Sequence, residues 1–246
     1  MIADPFVQLR LLDLQAVDTA LAQLAHRRRN LPELAVIADC DQRAAGVRSQ
    51  LVDAETTLAD LAADQRRMEA DVDTVRSRAR KDQQRMAASG VPAKEISSLE
   101  HEVASLARRQ GTLEDELLEL METRETAESE VADLKGRLEA VAGERAIAAT
   151  ARDEVFEELD DAEKKRHADR DRLVGTLPSD LVALYDRVRE SSGGVGAAML
   201  RQRRCEGCRL ELAGSELSEV RAAKPDQVLR CENCRRILVR SHESGL

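Results

Sequence analysis

Four of the five cysteines fall in two Cys-x-x-Cys pairs, Cys205 with Cys208 and Cys231 with Cys234, and 22 residues separate the pairs. A Cys-x-x-Cys turn lets two thiolates converge on one metal ion. Two such turns complete a tetrahedral four-thiolate shell, the arrangement that Zn²⁺ takes in structural sites, and leave no coordination position for a catalytic water. The other chemistries open to such pairs are a redox dithiol and an iron-bound site of the rubredoxin kind, but the flanking sequence lacks the βαβ pattern of a thioredoxin-like motif. Cys40 stands apart in an apolar stripe and reads as a buried structural thiol.

No other constellation of chemical residues presents itself. His26, His101, His167 and His242 are scattered along the chain, and there is no glycine-rich phosphate loop, no GxSxG and no HExxH. The many Asp and Glu residues lie on solvated helix faces. The expectation is a protein that is not an enzyme.

The elements that must position the cysteines are short. AMLRQRR leads into the first pair, and VLR and RILVR flank the second, three β-compatible pieces in the layout of a zinc ribbon over residues 198–246. A module of this size could not fold by burial alone, and structural zinc typically contributes about 10–16 kcal/mol of apparent binding energy to such a module. One structural Zn²⁺ is therefore expected, held by Cys205, Cys208, Cys231 and Cys234.

Upstream the sequence is helical. From Ile96 to Ala162 apolar residues recur every three or four positions, and Ile37 to Met86 carries a second stripe of the same kind, with Gln65, Asp82, Gln110, Arg124, Arg145 and Arg152 at polar interruptions. Between the stripes lies ASGVPAKE, residues 88–95, where Gly90 and Pro92 break the helix and Pro92 suits the first turn of the next. A short break between long helices implies an antiparallel hairpin, in which facing residues have numbers of constant sum. Met86 with Ile96, Val75 with Leu106, Met68 with Leu113, Leu61 with Leu120, Ala54 with Ala127, Val47 with Leu134 and Cys40 with Val141 all sum to 181 or 182.

Pro32 should kink or restart the first helix, which begins as the amphipathic stretch FVQLRLLDLQAVDTALAQLA. Continuing the pairing past it sets Arg27, Arg28 and Arg29 near the acidic run at residues 153–163, where cross-helix ion pairs are expected. The fold expected is mostly α: a long antiparallel coiled-coil hairpin over 1–176 with a turn at 88–95 and a kink near 32, a short helix and glycine hinge over 177–197, and a small β-type zinc ribbon over 198–246.

Composition agrees with an elongated molecule without an ordinary core. Phe6, Phe156 and Tyr185 are the only aromatics, Trp is absent and 35% of residues are charged. Residues 198–246 carry 10 Lys+Arg against 7 Asp+Glu, a tail of +3 in a chain of net charge −9. There is no long apolar run and no signal-peptide pattern, so a cytoplasmic protein without a membrane span is expected.

The amphipathic N-terminal helix, the hairpin turn followed by KEISSLEHEV and the ending CEGCRLEL…LRCENCRRILVR together resemble the bacterial C4-type zinc-ribbon family with a long coiled-coil hairpin. The resemblance implies a zinc-ribbon adaptor or chaperone. Relatives are described as serving the nitrogen-type alternative sigma factor and export-apparatus components, and as binding a flagellin transcript; only the four cysteines transfer residue by residue.

Two functions remain open on the sequence. One is a non-enzymatic adaptor that binds protein partners. The other is binding of RNA or DNA through the ribbon, motivated by Arg201, Arg203, Arg204, Arg209, Arg230, Arg235, Arg236 and Arg240 around the cysteines. Against the second stand the lack of any aromatic after Tyr185 to stack a base and the acidity of the helical part. Because the seams satisfy each other within one chain, a monomer is expected, with dimerisation left to the chain ends or the ribbon. Light scattering should return a mass near 27.2 kDa; twice that value would overturn the expectation.

Overall fold

The structure is a computed structural model that describes residues 1–246. The elements run α1 (Pro5–Arg29), α2 (Pro32–Met86), α3 (Ala93–Val174), α4 (Ser179–Ser191), β1 (Ala197–Arg201), β2 (Arg204–Cys205), α5 (Gly214–Ala222), β3 (Leu229–Arg230), β4 (Ile237–Val239) and a closing 3₁₀ turn, His242–Ser244. The chain divides into two compact units, residues 35–149 and residues 1–34 with 150–246. The residues thus group differently from the three consecutive domains expected.

Residues 35–149 contain the antiparallel pairing of α2 and α3. Helix α2 stops at Met86, the connection turns at Gly90 with φ of 88°, and the Pro92 carbonyl accepts from the N–H groups of Glu95 and Ile96 as α3 begins. Cys40, Ala44 and Val141 form one buried cluster, and Val47, Ala54, Val131 and Leu134 another. Cys40 meets Val141 and Val47 meets Leu134, as the constant sum requires. Two of the polar interruptions meet each other: Arg124 Nη1 donates to Gln65 Oε1 at 2.8 Å. Such a pair satisfies groups that would otherwise be left bare in an apolar seam and sets the register. Arg43–Glu144, Lys135–Glu55 and Arg76–Glu114 bridge the helices outside the seam, and Arg145, expected at a seam interruption, is exposed and bridges to Asp41, all at 2.6–2.9 Å. All are exposed to solvent and add little to stability.

Residues 1–34 with 150–246 hold a core that composition did not announce. Leu11 and Leu14 of α1, Leu181, Tyr185 and Val188 of α4, and Ala197, Ile237 and Val239 of the strands are buried together. The strands form one sheet in the order β2-β1-β4-β3, with β1 and β4 parallel and the outer pairs antiparallel. Alternation along the strands explains their two roles. Ala197, Ile237 and Val239 face the helical core, while Ala198, Leu200 and Leu238 face the cluster that contains Cys205 and Cys231. The expectation of a protein without a globular core is thereby corrected: a core needs few aromatics when one small sheet is covered on both faces.

Helix α1 starts where the chain dictates. Asp4 accepts from the Phe6 N–H at 2.8 Å as N-cap, Pro5 occupies the first position, and α2 restarts at Pro32 after a break at Asn30. The arginine run behaves as expected at Arg28, whose Nη1 lies 2.6 Å from Asp160 and 3.5 Å from Glu163 and whose guanidinium sits 4.7 Å over the Phe156 ring.

A buried polar network ties α1 to α3 and α4. The Asp18 side chain is fully buried and pairs with Arg170 at 2.9 Å and Arg189 at 3.3 Å, and it accepts the Tyr185 hydroxyl at 2.8 Å. Burial and the Asp18 carboxylate both push the Tyr185 phenol up, so the hydroxyl stays a donor. One turn earlier, Gln15 Oε1 accepts the Gly196 N–H at 2.6 Å while its Nε2 donates to the Gly194 carbonyl at 3.1 Å. The glycine segment expected to be a hinge is thus a bonded turn. Gly193 and Gly194 take positive φ, and a Cβ on Gly196 would stand 2.7 Å from the Tyr185 ring.

Removing the buried Asp18 strands Arg189 and takes its 2.8 Å acceptor from the Tyr185 hydroxyl, while Arg170 keeps Asp186 at 2.6 Å. Asp18→Ala should cost about 3–5 kcal/mol, read as a lower urea midpoint. Arg145→Ala, which breaks an exposed pair, should leave the midpoint nearly unmoved; equal shifts in the two variants would refute the assignment.

Candidate metal centre

The two Cys-x-x-Cys turns fold alike. In the first, the Arg209 N–H donates to the Cys205 carbonyl at 2.7 Å and the Cys205 N–H to the Leu210 carbonyl at 3.0 Å. In the second, the Arg235 N–H donates to the Cys231 carbonyl at 2.8 Å and the Cys231 N–H to the Arg236 carbonyl at 3.0 Å. Each turn closes with an arginine in the left-handed region, Arg209 at φ 61° and Arg235 at φ 63°. This geometry points both sulfurs of a pair to one side.

All four sulfurs lie within 4.8 Å of one another, with Cys205 Sγ 3.8 Å from Cys234 Sγ and Cys208 Sγ 3.9 Å from Cys231 Sγ. Zinc–sulfur bonds of about 2.3 Å in a tetrahedron set neighbouring sulfurs about 3.8 Å apart. The donor set and its spacing therefore fit one structural Zn²⁺. Burial pushes the Cys205 and Cys231 thiols up, and each is also raised by the charge of neighbouring cysteines. Burial works in the same sense on Cys234, but the Arg236 N–H and guanidinium, with the adjoining thiols, outweigh it and bring that thiol below its ordinary value. A divalent cation among the sulfurs converts this conflict into binding energy, because the ligands bind as thiolates.

Arg236 joins the centre to the rest of its unit. Its guanidinium donates to the Ser192 carbonyl at 2.7 Å and the Gly207 carbonyl at 3.0 Å, and its Nε to the Val195 carbonyl at 3.2 Å. It therefore spans the turn after α4 and the first cysteine turn, while its own backbone belongs to the second. Gly207 is small for this reason: a Cβ there would stand 2.7 Å from Arg236 Cδ and 2.9 Å from the Ala198 methyl. A second brace is Glu216 in the first turn of α5, buried, whose Oε1 accepts the Glu232 N–H at 3.0 Å.

The arginines named from the sequence divide sharply. Arg240 is spent on carbonyls of Val220, Ala223, Lys224, Pro225 and Gln227 at 2.5–3.2 Å, and Arg236 on three more as described. Arg201 pairs with Glu243 at 2.9 Å and lies 3.8 Å from Glu206; Arg203 donates to the Gly245 carbonyl at 3.1 Å and Arg230 to the Arg235 carbonyl at 2.8 Å. Arg201, Arg203 and Arg230 are nonetheless exposed, as are Arg204, Arg209 and Arg235; only Arg236 and Arg240 are half-buried. Sequence reasoning missed Gln15, Asp18 and Glu216, polar residues in ordinary amphipathic stretches whose burial nothing local signals.

Fold and site define a coiled-coil hairpin protein with a four-cysteine zinc ribbon, and the comparisons with known proteins agree. Residues 14–193 match the CT398-like coiled coil hairpin domain and residues 204–238 the C4-type zinc ribbon domain. The chain belongs to the CT398-like coiled-coil hairpin family. It is 35% identical to an uncharacterized protein of Mycobacterium tuberculosis over 95% of both chains. A solved structure from Mycobacterium smegmatis is similar with a TM-score of 0.88 and 36% identity, covering 98% of this chain and 100% of that one. CT398 from Chlamydia trachomatis, 20% identical, shares the fold at a TM-score of 0.72 over 96% of this chain and 98% of its own.

The centre should carry one zinc per chain by elemental analysis. Arg236→Leu should surrender that zinc to a chelator roughly 10- to 100-fold more readily, the range for losing an outer-shell partner of a metal ligand. Arg204→Ala, with its side chain in solvent, should keep its zinc; indistinguishable release from the two variants would remove Arg236 from the site.

Proposed function

We propose that the protein is a non-enzymatic cytoplasmic adaptor, or chaperone, that recruits protein partners, with zinc serving to hold the ribbon in a fixed shape. The observation that carries this reading is the employment of the basic residues. Five of the eight arginines around the metal, Arg201, Arg203, Arg230, Arg236 and Arg240, are engaged by carbonyls or carboxylates of the chain itself. A phosphate-binding face needs guanidiniums free to meet phosphate oxygens, and Arg236 and Arg240 are withdrawn from that use. Four thiolates filling the zinc shell also support a structural metal rather than a catalytic one.

The test is affinity capture with the intact protein beside a Cys205→Ser/Cys208→Ser variant, identifying bound protein and bound RNA together. Partners that resist nuclease, with some lost alongside the cysteine turn, are expected. Capture dominated by RNA and abolished by nuclease, together with steep salt dependence and loss in Arg204→Glu/Arg209→Glu/Arg235→Glu, would replace the adaptor by a nucleic-acid reader.

A further inference from the structure

The polar residues that interrupt the apolar seam within residues 35–149 do not all find partners. Gln65 and Arg124 meet across the seam at 2.8 Å, and Gln110 donates to Glu114 on its own helix at 2.8 Å. Asp82, near the end of α2, is 8% exposed, and its Oδ2 is buried without a hydrogen-bond partner. The one cation within 4.0 Å is Arg85, whose Nη1 stands at that distance from Oδ1 and whose Nη2 is drawn to Glu95 at 3.3 Å. The pairing that sums to 181 or 182 sets Asp82 opposite the buried Leu99, inside the apolar layer. A carboxylate taken from water without bonds to replace its hydration opposes the paired state of the helices.

The seam around it is thin. Between residues 73 and 112 Leu99 is the only buried apolar residue, and Val75, Met86, Ile96, Val103 and Leu106 are each half-buried. Val72 and Leu113, at 3% and 4% exposure, bound this stretch, and further from the turn lie the buried clusters that hold Val47 with Leu134 and Cys40 with Val141. The ion pairs that cross the stretch, Arg78 with Glu102 and Arg85 with Glu95, lie in solvent and add little. Apolar contact is therefore weakest at the level where the unpartnered carboxylate is buried.

We propose that the hairpin segment between Val72 and Leu113 opens as a local unit while the rest of the hairpin stays paired, and that the buried Asp82 carboxylate sets how readily it does so. Segments with few buried apolar contacts are the ones that open below the threshold of global unfolding. Opening returns both Asp82 oxygens to water and bares Leu99 with its half-buried neighbours, apolar surface that the paired helices withhold. Separated helical pieces of this length are marginal in water, so opening is visible as exchange of their backbone amides. The inference concerns the hairpin alone and does not depend on the adaptor reading.

The test is hydrogen–deuterium exchange on the full-length, zinc-loaded protein, read by mass spectrometry in the regime where the rate reports the opened population and corrected for the intrinsic rate of each sequence. Amides of residues 76–86 and 96–106 should exchange at least tenfold faster than those of residues 44–54 and 131–141. Asp82→Leu, which puts an apolar side chain in the seam, should slow the first pair of segments at least tenfold and leave the second pair within twofold. Glu100→Leu makes a comparable replacement at an exposed position of α3 and should leave all four within twofold. Zinc content and molecular mass certify each variant. Exchange as slow near the turn as at residues 44–54, indifference to Asp82→Leu, or equal slowing by Glu100→Leu would overturn the inference.

Discussion

Four sulfur atoms crowded within 4.8 Å and largely withdrawn from water cannot all be thiolates unless a cation stands among them. The ribbon follows from resolving that conflict. Zinc closes two turns that share no stable local structure of their own, and the turns in turn hold β1 and β4 side by side. One face of this pair packs under the cysteines, and the other supplies Ala197, Ile237 and Val239 to the core that also contains Leu11, Leu14 and Tyr185. The metal is thereby part of the same folding unit as the first and fourth helices.

Polar groups do the orienting where apolar packing alone would be degenerate. A stripe of Leu, Val and Ala can slide by a heptad with little loss, so the Arg124–Gln65 bond matters more for register than for stability. In the other unit Asp18 and Gln15 serve the same end at higher stakes. The Asp18 carboxylate fixes two guanidiniums and a phenol, and the Gln15 amide fixes the turn that delivers the chain from α4 into β1. Arg236 completes the path from that turn to the cysteines. A set of bonds thus runs from α1 to the metal centre, and those at Asp18 and at Gln15 Oε1, which are buried, are the costly ones to leave unmade.

The parts of the fold that could be read in advance are those written in local period and spacing. Two apolar stripes and a Gly/Pro break determine a hairpin because antiparallel neighbours must pair at a constant sum of residue numbers, and Cys40 with Val141 and Val47 with Leu134 obey it. Cys-x-x-Cys determines a metal site for a similar reason: the turn that converges two sulfurs is made within five residues. Composition misled where it was asked about a core. A low aromatic count limits how large a core is, but not whether an N-terminal helix will return to cover a sheet more than 180 residues away.

The sequence by itself determined the helices, the pairing of the hairpin, the ligand set and the metal, because each depends on neighbours in the chain or on the chemistry of one residue type. Tertiary structure alone decided which polar residues are buried and what the arginines are for. Arg236 and Arg240 carry the same charge and lie in the same basic stretch as the exposed Arg204 and Arg209, yet they are consumed by carbonyls from segments 13 to 44 residues distant. A guanidinium's role is set by the acceptors that surround it, and those acceptors are assembled only when the chain has closed on itself.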